Sequence, residues 1–226
     1  MRDPLESSGP APSAHSAPGA GVPDPCSQAA LALLLRHADR FPAGARVLEI
    51  GIDHGRHILP LARRGLRVTG VSSDAEAVAA VRGCAEREGL PVEIWEGDFS
   101  DFQTDEPFQV VMVFDVLQTL TRSAGAGLIY RVTHWLRTGG LLLLTALHVD
   151  DPCYDVCRAG WQRIGLHSFR NAAGDVRTFL ARREILDLLP GWEIVHHHEG
   201  MGPAHTHGQA APERHGVVEL VVRRRV

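Results

Sequence analysis

The chain has 226 residues, with 23 Lys and Arg against 27 Asp and Glu, a formal charge of −4, 44% hydrophobic and 22% charged residues. This size fits one domain with a substantial core, and the mild acidity gives no general attraction to nucleic acid or anionic membrane. No apolar run approaches the roughly 18 residues that a bilayer span needs, and the N-terminus lacks the charged start and apolar core of a secretory signal. The four cysteines, Cys26, Cys84, Cys153 and Cys157, are too scattered for a disulfide scaffold. A cytoplasmic location is expected.

Residues 1–24, rich in Pro, Gly, Ser and Ala, have little to bury and are expected to be a disordered leader, with one domain over 25–226. Leu31, Leu34, Leu35 and Ala38 recur at helical spacing and predict a helix over 28–40. Next comes VLEIGIDHG at 47–55, a buried strand entering a turn in which Gly51 and Gly55 leave room for a ligand against the backbone. From residue 46 onward strands alternate with helices. Strands are expected at 46–50, 67–71, 92–95, 109–114, 141–147, 192–196 and 216–223, and helices at 55–64, 75–88, 121–137 and 181–188.

The runs QVVMVF and LLLLTAL are apolar almost throughout, as strands covered on both faces by helices must be. The expected fold is therefore α/β, with a mostly parallel sheet, helices on both faces and a hairpin-like closing pair. Ligands of such sheets settle outside the carboxyl ends of the strands. Four strand ends carry polar or aromatic groups there: the 51–55 turn, Ser72-Ser73-Asp74, Gly97-Asp98-Phe99 and Phe114-Asp115. Asp74 has two readings, a cap of the helix that follows or a ligand contact. The G-x-G-x-x-G dinucleotide fingerprint is missing.

These strand ends, in this order, resemble the class I S-adenosylmethionine-dependent methyltransferases. More narrowly, the chain is similar to the tellurite-resistance methyltransferase group, through GIDHGRHILPLARRGLRVTGV at 51–71, TGGLLLLTALHVDDP at 138–152 and WEIVHHHEGMGPAHTHG at 192–208. The resemblance implies a Rossmann-like seven-stranded sheet with an antiparallel last strand, and S-adenosylmethionine as cofactor. Glu49, Gly51, Asp53 and Gly55 would surround its methionine half, Ser72 the ribose, Asp98 and Phe99 the adenine, and Phe114 and Asp115 the methyl group. Arg56, His205 and Arg214 match positions around the substrate, Arg214 after a one-residue shift. The partner would be a small molecule, and a homodimer stays open.

Three residues depart from the family pattern: Asp53 replaces the middle glycine, Ser72 the ribose-binding acid, and Gln109 an acid at the start of strand four. The implied reaction is methyl transfer to a compact nucleophile such as a thiol, selenium or tellurium species. Arg56 and Arg214 would clamp its charge and His205 would act as base. The alternative is a catalytically silent fold that binds a soft metal, metalloid or partner through its histidine-rich end. There His196, His197, His198, His205, His207 and His215 crowd together, with Cys153 and Cys157 near His148. No metal-ligand set is assigned. Segment 152–178 reads either as a packed excursion or as a lid over the substrate.

Overall fold

The computed structural model describes residues 27–204 and 214–225. In chain order these form α1 (Ser27–His37), β1 (Arg46–Ile50), α2 (Ile58–Arg63), β2 (Arg67–Ser72), α3 (Ala75–Glu88), β3 (Val92–Glu96), β4 (Phe108–Phe114) and α4 (Arg122–Trp135). Then follow β5 (Leu136–Leu147), α5 (Pro152–Gly160), β6 (Gln162–Gly165), β7 (Ser168–Arg170), β8 (Val176–Thr178), α6 (Glu184–Asp187), β9 (Glu193–Met201) and β10 (Gly216–Arg223). The leader at 1–24 lies outside the described residues.

Seven strands make one sheet in the order β3-β2-β1-β4-β5-β10-β9. β1 to β5 pair in parallel, and β10 runs antiparallel between β5 and β9. The order reverses at β1, which places the crevice between the ends of β1 and β4. Alternation of side chains divides the core into two layers. Val110, Met112, Leu141 and Leu143 pack toward α1, α2 and α3. Val111, Val113, Leu142 and Leu144 pack toward α4 and α6. Both layers are buried, which is why β4 and β5 read as unbroken apolar runs.

Local chemistry sets the helix ends. The Asp74 carboxylate accepts from the backbone N–H groups of Glu76 and Ala77, so the capping reading of Asp74 holds for α3. Thr121 caps α4 through the Ala124 N–H. The sequence reading placed one helix over 55–64. Here a short 3-10 turn over Asp53–Gly55 precedes α2.

β5 begins five residues before its expected start. Leu136 already pairs with Phe108, and the register shifts before Val110 pairs with Leu141. Gly139 and Gly140 absorb that irregularity inside the strand, where a Cβ on Gly140 would lie 2.9 Å from the Gln109 carbonyl oxygen. Gln109 itself accepts the Arg46 N–H at 2.7 Å, so an amide oxygen satisfies the entry of β1 where an acid was expected.

Segment 150–180 is a unit of its own. α5 and the antiparallel sheet β6-β7-β8 bury Cys157, Phe169 and Phe179 against Leu147 and Val217, with Tyr154 and Trp161 around them. It docks on the carboxyl end of β5, because Leu180 is bonded on one side to the Leu147 carbonyl and on the other to the Val149 N–H. Asp151 fastens its base by accepting from the N–H groups of Cys153 and Gly216 and from His215 Nδ1.

Candidate functional site

The turn after β1 is the centre of the carboxyl edge. Gly51 donates to the Val71 carbonyl at 2.9 Å and has φ of 78°, while Gly55 has φ of 86°. A Cβ on Gly51 would stand 2.8 Å from Val116 and one on Gly55 2.6 Å from Leu59, so both glycines are also required by packing. Between them Asp53 and His54 adopt φ of 32° and 50°, a region in which Asp and His are tolerated better than most residues. The Asp53 carboxylate, 42% exposed, turns toward Arg56, with Nε to Oδ2 at 3.2 Å.

Beneath the turn lies a buried pair. His57 Nδ1 donates to Glu49 Oε1 at 2.7 Å, and both side chains are shut off from solvent. The imidazole stands edge-on to Phe114, with ring centroids 4.9 Å apart. Burial pulls the His57 imidazole down, but the Glu49 carboxylate, with Asp53 and Asp115 beyond it, outweighs burial and holds His57 above its ordinary value. Desolvation pushes Glu49 up, only partly offset by His57. The pair therefore keeps a proton that the same groups would release in water. Glu49 Oε2 and His57 Nε2 are buried without a hydrogen-bond partner among the described residues. The fold buries His57 and leaves its neighbour in the turn, His54, exposed.

The remaining strand ends form one rim. Ser72 Oγ accepts the Asp74 N–H at 3.1 Å, and the Ser72 carbonyl takes the Gly97 N–H at 2.9 Å, which draws the β2 and β3 ends together. Asp98 accepts from the Ser100 N–H at 2.7 Å and shapes the turn that presents Phe99, partly buried against the α4 layer. At the β4 end Phe114 is buried, and Asp115, with φ of 59°, accepts from Thr145 Oγ1 at 2.8 Å. Thr145 was not singled out in the sequence; it meets Asp115 only because β5 lies beside β4 in this register.

Of the three residues expected around the substrate, two are described, and each has its own local partner. Arg56 is engaged with Asp53, and the Arg214 side chain donates through Nε to the Gly202 carbonyl at 2.9 Å. His205 and His207 lie outside the described residues. Three other histidines of the terminal segment are distributed among separate carboxylates: His196 with Glu219, His197 with Glu199 and His215 with Asp151, each at 3.0 Å. Burial pushes the Cys153 thiol up to about 11, with Asp151 adding to the effect, and raises Cys157 as well. Both thiols thus stay protonated near neutrality. Among the described residues no group of three His, Cys, Asp or Glu side chains is arranged to hold a metal ion. Nor does any described helix have the length and apolarity to cross a membrane.

Two shallow hollows, of about 340 and 420 Å³, are lined by Leu186, Pro190, Trp192 and Ile194 and by Thr138 and Arg223–Arg225. Both belong to the amino edge of the sheet, away from the glycine turn. Strand-end chemistry and the order reversal locate the site at the carboxyl edge instead.

Comparison with known proteins bears on the fold and on the family. Residues 47–140 match the family model described as a methyltransferase domain. A ubiquinone biosynthesis O-methyltransferase of Methylocella silvestris is 26% identical over 71% of this chain and 70% of its own length. One from a Bradyrhizobium strain is 28% identical over 56% of this chain and 52% of its own. The chain thus spans about half to 70% of these curated relatives. Among solved structures, TehB from Haemophilus influenzae superposes with a TM-score of 0.67 at 19% identity, over 86% of this chain and 62% of that one. The N-methyltransferase NodS from Bradyrhizobium japonicum, in complex with S-adenosylhomocysteine, gives 0.62 at 21% identity over 87% and 86%. Together with the sheet order and the glycine turn, these findings show that residues 47–140 are similar to methyltransferase domains and that the fold is the one shared by S-adenosylmethionine-dependent methyltransferases.

Proposed function

We propose that the protein transfers the methyl group of S-adenosylmethionine to a compact organic small molecule bound between the 51–56 turn and the 150–180 insertion. The observation that carries this reading is the docking of the insertion, through Leu180, on the end of β5, beside the rim formed by Gly51, Ser72, Gly97 and Asp115. A unit with its own core stands where an acceptor must be shielded from water.

The residues present suit the cofactor. Glu49 Oε2, buried and without a partner among the described residues, suits the need of an ammonium group for an acceptor, and His57 Nε2 offers a second polar atom. Phe99 supplies an aromatic face and Asp98 a carboxylate for an adenine amino group. The bound cofactor supplies an electrophilic methyl on a sulfonium. The protein aligns it with the acceptor, excludes water, and receives a proton where the acceptor carries one. Residues 25–226 act as one domain in this reading, in the cytoplasm, where free thiols such as Cys84 and Cys157 stay reduced.

The acceptor's chemistry is the finer question. The resemblance of segments 51–71, 138–152 and 192–208 to the tellurite-resistance group favours a thiol, selenium or tellurium species, which would want free cationic clamps. Arg56 and Arg214 are both engaged elsewhere, and the curated relatives are O-methyltransferases, so the organic acceptor is preferred.

Calorimetry with S-adenosylhomocysteine tests the proposal. Binding in the micromolar range supports it. No heat of binding and no shift in melting temperature would instead favour a silent fold that uses its histidine-rich end for another ligand.

A further inference from the structure

The insertion holds a polar pair that none of the cofactor positions uses. His167 lies in the two-residue turn between β6 and β7 with φ of 53°, a conformation that costs a non-glycine residue. Its Nδ1 is 2.6 Å from the Tyr154 hydroxyl. The Tyr154 ring stands edge-on to Phe169 and Phe179, with centroids 5.6 and 5.2 Å apart. The imidazole is thus oriented by a side chain that is itself fixed in the insertion's core.

The position of this turn follows from its anchors. The His167 carbonyl accepts the Phe179 N–H, the next residue, Leu180, is bonded to Leu147, and Thr178 Oγ1 donates to the Leu120 carbonyl. The Leu166–His167 turn is therefore the end of the hairpin that meets the main domain at Leu120, in the connection after β4, and at the end of β5, and the Asn171–Asp175 turn is the far end. The charged groups facing the imidazole are Arg122 at the start of α4, Glu184 at the start of α6 and Arg163 of β6. Burial, reinforced by Arg122, holds His167 below its ordinary value, so the ring is neutral at pH 7.

We propose that His167, oriented by Tyr154, is the general base for the methyl acceptor, and that the acceptor is accordingly a protic O–H or N–H nucleophile. The inference rests on the methyl-transfer reading and deepens it. With Nδ1–H donating to the phenol oxygen, the other ring nitrogen, Nε2, offers its lone pair. The acceptor oxygen or nitrogen forms a bond to the methyl carbon as the carbon–sulfur bond breaks, and that electron pair stays on sulfur, which leaves as a thioether. The acceptor's proton passes to Nε2, and the imidazolium then returns it to solvent. A chalcogen anion would need no such group.

The test uses the full chain, S-adenosylmethionine labelled in its methyl group, and two acceptors, catechol and benzenethiol. His167→Gln should slow catechol methylation at pH 7 by roughly 100-fold or more, the contribution typical of a positioned base. The loss should shrink as pH approaches phenol ionisation near about 10. Benzenethiol, ionised at neutral pH, should react at nearly the wild-type rate. Tyr154→Phe should lower kcat for catechol with little change in KM. An equal loss for both acceptors, or one that ignores pH, would overturn the role.

If neither acceptor reacts, nitrogen NMR of the histidine decides: a neutral Nδ1–H tautomer that changes in Tyr154→Phe is expected, and an Nε2–H tautomer or a charged ring at pH 7 overturns the proposal. S-adenosylhomocysteine should bind His167→Gln as it binds the wild type. Failure to bind the wild type would defeat the methyl-transfer reading itself, and this inference with it.

Discussion

Glu49 and His57 are joined across 2.7 Å beneath the glycine turn, with side-chain exposures of 0% and 3%. Removing one partner of such a pair leaves an uncompensated buried group and typically costs about 3–5 kcal/mol. His57→Leu should lose stability on this scale in urea unfolding, whereas a Glu49→Leu/His57→Leu double variant should recover much of it.

The same pair makes stability depend on pH. The folded-state value of His57 lies above its ordinary 6.5, so its contribution is complete below pH 6.5 and is lost as pH rises through the elevated value. Urea midpoints of the wild type should fall across that alkaline window, and those of the double variant should change less. An identical profile for both proteins would contradict the linkage.

Ser72 occupies the end of β2 with only a hydroxyl, bonded to the Asp74 N–H. A carboxylate there would accept from ribose hydroxyls, and hydrogen bonds to charged groups are worth about 1.5–3 kcal/mol. Ser72→Asp should tighten S-adenosylhomocysteine binding about tenfold or more by calorimetry. Unchanged or weaker binding would remove Ser72 from the ribose position.

Asp74 contributes to the fold of α3 through two backbone N–H groups. Asp74→Ala should cost about 1 kcal/mol, the usual value of an N-cap, seen as a lower melting temperature. S-adenosylhomocysteine affinity measured well below that temperature should stay the same.

Phe179 is the fully buried centre of the insertion's core. Phe179→Ala should cost about 3–5 kcal/mol locally and speed amide exchange over 154–180. Methyl transfer should fall while S-adenosylhomocysteine binding persists, because the glycine turn lies in the main core. Loss of both together would show that the insertion and the cofactor rim do not act separately.

Much of this protein was legible in its residues. The apolar runs of β4 and β5, the Gly51–Gly55 turn and the Asp74 cap are local signals, and each needs only its neighbours in sequence to be read. The strand starting at Leu136 was not legible, because Thr138-Gly139-Gly140 reads as a turn until a partner strand shows it to be a bulge. The three short strands of the insertion carry too few residues for a period to emerge, although the apolar content of Trp161, Ile164, Leu166 and Phe169 marked the segment as one that folds.

The candidate site divides along the same line. Spacing alone determined which strand ends come to the carboxyl edge, since a parallel sheet brings every βα turn to one side whatever the side chains do. Only the tertiary structure decided what those side chains touch. It set Asp53 against Arg56, buried His57 on Glu49, placed Thr145 beside Asp115 and joined Tyr154 to His167. Three of these pairs depend on how separate segments pack, and a bond formed across such packing leaves no periodic trace in the chain.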